Sequence, residues 1–264
     1  MTTENAFEDV IYEVRGRASW ITINRPKVYN AFRGQTVEEL IKAFQISAND
    51  KDISSIVLTG AGEKAFCTGG DQSAHDGDYD GRGVVGLPIE ELQGIIRDTP
   101  KPVIARVNGF AIGGGNVLAT LCDLTIAAET AQFGQVGPKV GSFDAGWGTA
   151  LLARHIGDKR AREIWFLNER YTAREAKDMG LVNKVVPMEE LDAAVTDWTD
   201  KLGERSPTAL AFLKRSFNAD SDSIRGISNM ALHAVKLYYA SPESQEGVDA
   251  FNEKRPPDFH KFVE

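Results

Sequence analysis

The sequence predicts an α/β core followed by a helical C-terminal region, and three observations carry that expectation. Short β-branched runs alternate with segments of helical spacing over residues 10–186. Two of these runs end in adjacent glycines, at Gly69–Gly70 and at Gly113–Gly115. After residue 189 the strand-like runs stop, and three amphipathic helical segments follow as far as Ala240. The expected division is a core over residues 1–190 and a helical region over 191–264.

Taken in order, residues 10–14 and 19–24 (SWITIN) alternate apolar and polar side chains around Gly16, which reads as a hairpin. In NRPKVYNAF, residues 24–32, the proline keeps Arg25 extended, so the segment is expected to leave the sheet as a surface loop with Arg25 and Lys27 exposed. Thr36 and Glu39 have capping-box spacing, and Val37, Leu40, Ile41 and Phe44 continue as one helical face. Residues 54–59 (SSIVLT) read as a buried strand. KAFCTGGDQ, residues 64–72, ends in glycines followed by Asp71, a candidate cap. Residues 73–86 are rich in Gly and Asp without period and read as a mobile loop over the site, or as a plain surface insert. Residues 88–97 resume helical spacing.

The breaker pair Pro100 and Pro102 precedes the strand PVIARV at 102–107, and residues 116–122 continue as a buried helix. Residues 124–128 form another strand. FGQVGPKVGSFDAGW, residues 133–147, is too glycine-rich for a regular element, and a Ser and an Asp there read equally as turn chemistry. Helical spacing then covers 150–156, 160–167 and 173–179, a strand covers 182–186, and the tail FNEKRPPDFHKF ends the chain.

The glycine clusters have a chemical reading. Without Cβ atoms, Gly113, Gly114 and Gly115 let backbone approach a bound group, and a helix start leaves N–H donors without internal acceptors. Such donors suit a developing negative oxygen. A lone GGG reads as a tight turn; a second cluster at 69–70 favours chemistry.

Composition narrows the rest. At 264 residues and 42% hydrophobic, the chain can bury a sizeable core. A net charge of −8 leaves no basic stripe for nucleic acid. No apolar run approaches about 20 residues, and MTTENAFED lacks a signal-peptide pattern, so no membrane and a cytoplasmic location are expected. Cys67 and Cys122 lie in apolar surroundings and read as reduced core residues. His75, His155, His233 and His260 are scattered without ligand spacing, so no metal is expected and none of the four has an assigned role. GGG at 113–115 also lacks the spacing of a dinucleotide-binding loop.

With both glycine sites in view, the chain resembles the crotonase (enoyl-CoA hydratase/isomerase) superfamily. NRPKVYNAF, KAFCTGGD, KPVIARVNGFAIGGGNVLATLCDLTIA, FGQVGPKVGSF and AKDMGLVNKVVP carry the resemblance, in that order. It implies a crotonase-like spiral of β-β-α units with a C-terminal helical region that completes the site and assembles homotrimers or dimers of trimers. It also implies an acyl-CoA substrate whose thioester oxygen is held by the backbone N–H groups of Gly70 and Gly114. Around them, the resemblance assigns Arg25, Lys27, Val28, Tyr29 and Ala31 to substrate and CoA. The next loop adds Lys64, Ala65, Thr68, Gly69, Asp71 and Gln72, and the GGG strand adds Phe110, Ile112 and Gly113. Gln135, Val136, Trp165 and the tail residue Lys254 complete that set.

Two departures decide the chemistry. Hydratases carry glutamates where Val117 and Gly137 stand, so water addition to an enoyl group by their mechanism is not expected. CTGGDQ, GQVGPKVGSFDAGWG, RAREIWFL, LYYA and EGVDAFNEKRPPDF instead resemble the naphthoate synthase-like subgroup, including its ring-opening relative that hydrolyses 2-ketocyclohexanecarboxyl-CoA. That subgroup implies Ser142, Asp144 and Tyr239 as catalytic pocket residues, although a turn role for Asp144 and a packing role for Tyr239 stay open. Synthases have threonine at Val136 and arginine at Tyr29, so ring opening is the favoured expectation. Ring closure, or a non-catalytic acyl-CoA-binding scaffold, are the alternatives. No redox cofactor is implied, and the resemblance leaves a bicarbonate ion beside Gln135 and Trp165 open.

Overall fold

A computed structural model describes residues 7–72, 79 and 81–263. Half of the loop expected over residues 73–86 therefore lies outside the described residues, at 73–78 and 80, with His75. The chain opens with the hairpin β1 (Val10–Arg15) and β2 (Ala18–Ile23), antiparallel and turned at Gly16 with φ +60°. After α1 (Gly34–Asn49), a strand–strand–helix unit repeats. β3 (Ser55–Gly60) and β4 (Ala65–Cys67) lead to α2 (Ile89–Asp98). β5 (Val103–Val107) and β6 (Phe110–Ile112) lead to α3 (Gly114–Leu121). β7 (Leu124–Ala128) and β8 (Gln132–Gly134) then lead through a loop and one π-helical turn at Trp147–Leu151 to α4 (Leu152–Ile156) and α5 (Asp158–Leu167).

The first strand of each unit joins a large sheet and the second joins a small one. β9 (Arg170–Thr172), α6 (Ala173–Met179) and β10 (Lys184–Val186) complete both sheets. The large sheet runs β1-β2-β3-β5-β7-β10 and the small one β4-β6-β8-β9. This is the β-β-α spiral that the resemblance implies, parallel except for the β1–β2 and β8–β9 pairs.

Strand periodicity sets the layers. In β3, Ile56 and Leu58 face the main core with Phe44 and Phe66, while Val57 faces the other way with Trp20, Ile104 and Ile126. α7 (Leu191–Gly203) covers that second face through Leu191 and Val195. Buried on both faces, the central strands read as continuous apolar runs. α8 (Pro207–Ala219), α9 (Ser223–Tyr239) and α10 (Pro242–Asn252) follow.

Three local readings need correction. α1 starts two residues before Thr36: the Thr36 hydroxyl accepts the Arg33 N–H at 3.2 Å and donates to Asp9 Oδ2 at 2.6 Å. Glu39, buried, does not join the expected box and instead accepts the N–H groups of Glu8 and Asp9. Arg25 is half-buried rather than exposed, and its backbone, at φ −126° and ψ 52°, is not the extended one expected: two carboxylates, Asp71 at 2.9 Å and Asp9 at 3.5 Å, hold its guanidinium under the loop. α10 is an additional helix that the periodicity did not show. Its start is marked by Ser241, whose Oγ accepts the Ser244 N–H, and by Pro242 at the first helical position. Cys67 and Cys122 are buried and unbonded, as expected of core thiols.

Candidate active site

The ends of β4 and β6 bring the two glycine clusters into contact. Gly69 has φ +90° and Gly113 φ +56°, conformations that side-chain-bearing residues rarely adopt. A methyl group at Gly69 would lie 2.9 Å from the Gly114 nitrogen, and one at Gly114 would lie 3.2 Å from the Gly69 α-carbon. Only bare backbone fits there. Gly114 opens α3, so its N–H has no acceptor in its own helix. Gly70 is bridged to Phe32 through its neighbours: Phe32 N–H donates to Gly69 O at 2.8 Å, and Asp71 N–H to Phe32 O at 2.9 Å. The Gly70 N–H stands outside that ladder.

Both glycines line a cavity of about 860 Å³. Its second wall is the loop after β8. There Asp144 Oδ1 accepts two backbone N–H groups, from Gly146 and Gly148, each at 2.9 Å. Burial raises the affinity of this carboxyl for its proton, and outweighs those two donors, which act the other way. Both bonds end on Oδ1, so Oδ2 is the oxygen available to another partner. Trp165, on α5, donates Nε1–H to Gly148 O at 2.5 Å. A methyl group at Gly148 would come within 2.9 Å of both Asp144 Cγ and Trp165 Cζ2, so glycine there lets the two side chains share one spot.

The third wall is α9. Leu232, Val235 and Tyr239 recur at helical spacing along the cavity, and the Tyr239 hydroxyl lies 2.9 Å from Ser142 Oγ. Val117, from α3, adds an apolar side chain to this lining. Asp71 and Asp144 are the carboxylates of the described lining, and Asp71 is paired with Arg25.

Most residues expected at the site lie on this cavity. Val28, Tyr29, Ala31, Thr68, Gln72, Phe110, Ile112, Gln135 and Val136 line it together with Ser142, Asp144, Trp165 and Tyr239. Lys27, Lys64 and Ala65 line a smaller depression beside it, which shares Tyr29. Arg25 and Lys254 line neither, Lys254 being expected to meet CoA across a subunit boundary, and its neighbour Arg255 lines the cavity.

Other lining residues gave no sequence signal. Tyr79 is buried, and its hydroxyl lies where any side chain at Gly70 would project. Burial, with Tyr239 and Asp71 adding to it, pushes this phenol well above its ordinary pKa. An aromatic in a Gly/Asp-rich stretch is the one hint available. Gln93 reaches the cavity from α2, and Arg170 lies over the Phe110 ring at 5.3 Å, with Tyr29 packed edge-on at 6.2 Å. Among the described residues, no cluster of His, Cys, Asp or Glu could hold a metal, and no helix is long and apolar enough to cross a membrane.

Comparison with known proteins agrees with this geometry. The profile of the enoyl-CoA hydratase/isomerase family matches residues 15–261. An enoyl-CoA hydratase from Mycobacterium avium subsp. paratuberculosis K-10 superposes with a TM-score of 0.85 at 28% identity, covering 96% of this chain and 99% of that one. A carnitinyl-CoA hydratase from Mycobacterium avium gives 0.83 at 31% identity, covering 95% and 97%. An enoyl-CoA hydratase/isomerase from Xanthobacter autotrophicus Py2 gives 0.82 at 29% identity, covering 94% of each chain. Two-layered spiral, paired glycine loops and a profile running nearly end to end lead to one assignment: the chain belongs to the enoyl-CoA hydratase/isomerase family, the crotonase superfamily.

Proposed function

We propose that the protein opens the ring of a cyclic β-ketoacyl-CoA by hydrolysis, with 2-ketocyclohexanecarboxyl-CoA as substrate and pimeloyl-CoA as product. The observation that carries this reading is the placement of carboxylates. Similar structures bear the names of hydratases, yet here Val117 and Gly137 stand on the cavity where that chemistry needs glutamates. The carboxylate left for proton transfer is Asp144, on another part of the wall and within one loop of the Ser142–Tyr239 pair.

In this mechanism the N–H groups of Gly70 and Gly114 hold the thioester oxygen. Water attacks the ring ketone carbon and its proton passes to Asp144. Tyr239, its hydroxyl oriented by Ser142, donates to the ketone oxygen as charge grows there. Collapse of the adduct breaks the ring C–C bond, and the electron pair moves onto the α-carbon as a thioester enolate. The glycine donors stabilise that oxyanion, each worth about 3 kcal/mol. Asp144 returns the proton to the α-carbon. A carboxyl whose proton affinity is raised by burial suits a group that both takes and gives a proton.

The same reading includes self-association as a homotrimer or dimer of trimers. It is supported by Phe212, Phe217, Met230 and Leu237, all well exposed on α8 and α9. The test of function is incubation with 2-ketocyclohexanecarboxyl-CoA followed by mass spectrometry. Hydrolysis gives a product heavier by one water. An unaltered thioester, together with ring closure of an open-chain aryl acyl-CoA to 1,4-dihydroxy-2-naphthoyl-CoA, would assign the protein to the synthases instead.

A further inference from the structure

The resemblance assigns Arg25 to substrate and CoA, yet Arg25 lines neither the cavity nor the depression beside it. Its side chain is 15% exposed, and each of its three nitrogens faces an acceptor of the chain itself. Nη1–H donates to Ala31 O at 2.5 Å, Nη2 lies 2.9 Å from Asp71 Oδ2, and Nε lies 3.5 Å from Asp9 Oδ2. Asp9 Oδ2 is in turn held by Arg33 Nε at 2.8 Å and by the Thr36 hydroxyl at 2.6 Å, so the guanidinium is rooted in the start of α1.

Two of these partners flank one glycine of the pair. Phe32 is bridged to Gly70 through the residues on either side of it, accepting from the Asp71 N–H and donating to Gly69 O. In a bridge of that pattern the N–H and C=O of Gly70 itself point to the opposite edge of its strand. Arg25 ties the two bridged segments together, because Ala31 precedes Phe32 and Asp71 follows Gly70. A planar guanidinium holds acceptors at a fixed angle and spacing, as a flexible ammonium does not. The Asp71 side chain is 7% exposed, so little water screens the pair. Gly69 shows what a displacement would change. A methyl group there would lie 2.9 Å from the Gly114 nitrogen, so any shift of residues 69–71 alters the spacing between the two N–H groups.

We infer that Arg25 is a positioning residue for the oxyanion hole, acting through Asp71 and the Ala31 carbonyl to fix the Gly70 N–H against that of Gly114. This rests on the reading above that those two N–H groups hold a thioester oxygen.

The test uses cyclohexanecarboxyl-CoA labelled with 13C at the thioester carbon, which lacks the ring ketone and binds without ring opening. Isotope-edited infrared spectra then report how strongly its C=O is polarised. On binding to the wild type the band is expected to move to lower wavenumber. Arg25→Gln and Arg25→Lys should each give a smaller displacement, while affinity for free CoA, measured by calorimetry, stays unchanged. The lysine variant keeps the charge between Asp9 and Asp71 but not the fork, and so guards against misfolding of the glutamine variant. Arg25→Gln combined with Asp71→Asn should lose no more than Arg25→Gln alone, since the two residues act as one unit. With 2-ketocyclohexanecarboxyl-CoA, Arg25→Gln should lower kcat about 10²-fold and leave KM within about threefold, the effect of misplacing one donor. An undiminished displacement in the folded variants, or weakened binding of free CoA with the band unchanged, would overturn the inference and leave the glycine pair standing. A wild-type band that does not move would overturn the glycine reading and the role of Arg25 with it. Should the wild type polarise the thioester yet leave the cyclic β-ketoacyl-CoA intact, ring opening alone falls, and the infrared comparison still decides Arg25.

Discussion

At the level of single residues, Asp144 is where opposing forces meet. Two N–H donors favour its carboxylate and burial favours its acid, and burial wins. If it is the base of the reaction, it must be ionised to take a proton. The acid limb of kcat/KM should therefore fall at a higher pH than an ordinary aspartate would give. Asp144→Asn keeps the shape and the backbone bonds but removes the base, so kcat should drop about 10²- to 10⁴-fold and the limb should vanish. A pH–rate profile of both forms checks this; an unchanged rate in the asparagine variant would reduce Asp144 to a turn residue. Gly148 sets the geometry around it. Alanine there would press on Asp144 and Trp165 together, an overpacking cost of about 1–3 kcal/mol, expected as a lowered melting temperature and a weakened acid limb.

Among elements, the attachment of α8 shows what pattern alone can and cannot reveal. Lys214, with a side chain only 5% exposed, donates to Asp123 Oδ2 at 2.7 Å, to Ile96 O at 2.9 Å and to Lys101 O at 3.0 Å. One ammonium thus joins α8 to the end of α2 and the start of β5. Lys214→Met would fill similar volume and leave those three acceptors without it. Because Asp123 is 26% exposed and can turn to water, a loss of about 3 kcal/mol is expected, the low end for breaking a buried pair, measurable by urea unfolding. A change below about 0.5 kcal/mol would show the contact to be idle. In sequence, a lysine on an amphipathic helix reads as solvated surface, so this joint was invisible. The helices themselves were legible because period 3.6 survives in α7, α8 and α9, as were the strands β3, β5 and β7 from their continuous apolar runs. The glycine loops were legible by residue type, since few roles require adjacent glycines at a strand end. Tyr79, Gln93, Arg170 and Arg255 were not, because one polar side chain carries no period and its place depends on which strands the spiral stacks together.

Over the whole molecule, the tail residues Arg255 and Pro257 line the same cavity as Val28, Tyr29 and Ala31 near the other end of the chain. Glu246, on α10, accepts from Arg255 at 2.5 Å, from the Asp258 N–H at 2.8 Å and from Lys261 at 3.0 Å, and so folds the tail back beside the cavity that Arg255 lines. These donors, Arg255 first, hold the Glu246 carboxyl far below the ordinary carboxylate range. A depressed pKa in the folded state means that the carboxylate's contribution is present above the ordinary glutamate pKa and is lost as pH falls from there through the depressed value. Amide protection factors across residues 253–263, taken against the intrinsic exchange rate at each pH, should thus fall on acidification below about pH 4.5, the unfolded side of that window. Glu246→Gln should show the lowered protection already at neutral pH, with a raised KM for the CoA thioester because Arg255 is released. If tail exchange stays slow and KM is unchanged in that variant, the clamp has no part in shaping the site.

The proposed self-association also belongs to the scale of the whole molecule. Phe212 is 72% exposed, Phe217 79%, Met230 69% and Leu237 77%, on two successive helices. Large apolar side chains concentrated in this way favour contact with a second surface, since burying each adds roughly 1.5–3 kcal/mol that water does not repay. With a chain mass of 28.9 kDa, sedimentation equilibrium is expected to give three or six times that value. Phe217→Glu combined with Leu237→Glu would place two carboxylates in the proposed seam, and the mass should then fall toward the single chain. These positions lie outside the cavity lining, so the Ser142–Tyr239 contact stays intact in the separated chains, and any activity lost with them measures what assembly itself contributes. Wild-type protein that sediments as a single chain would remove assembly from the account and leave the apolar face of α8 and α9 without the role proposed for it.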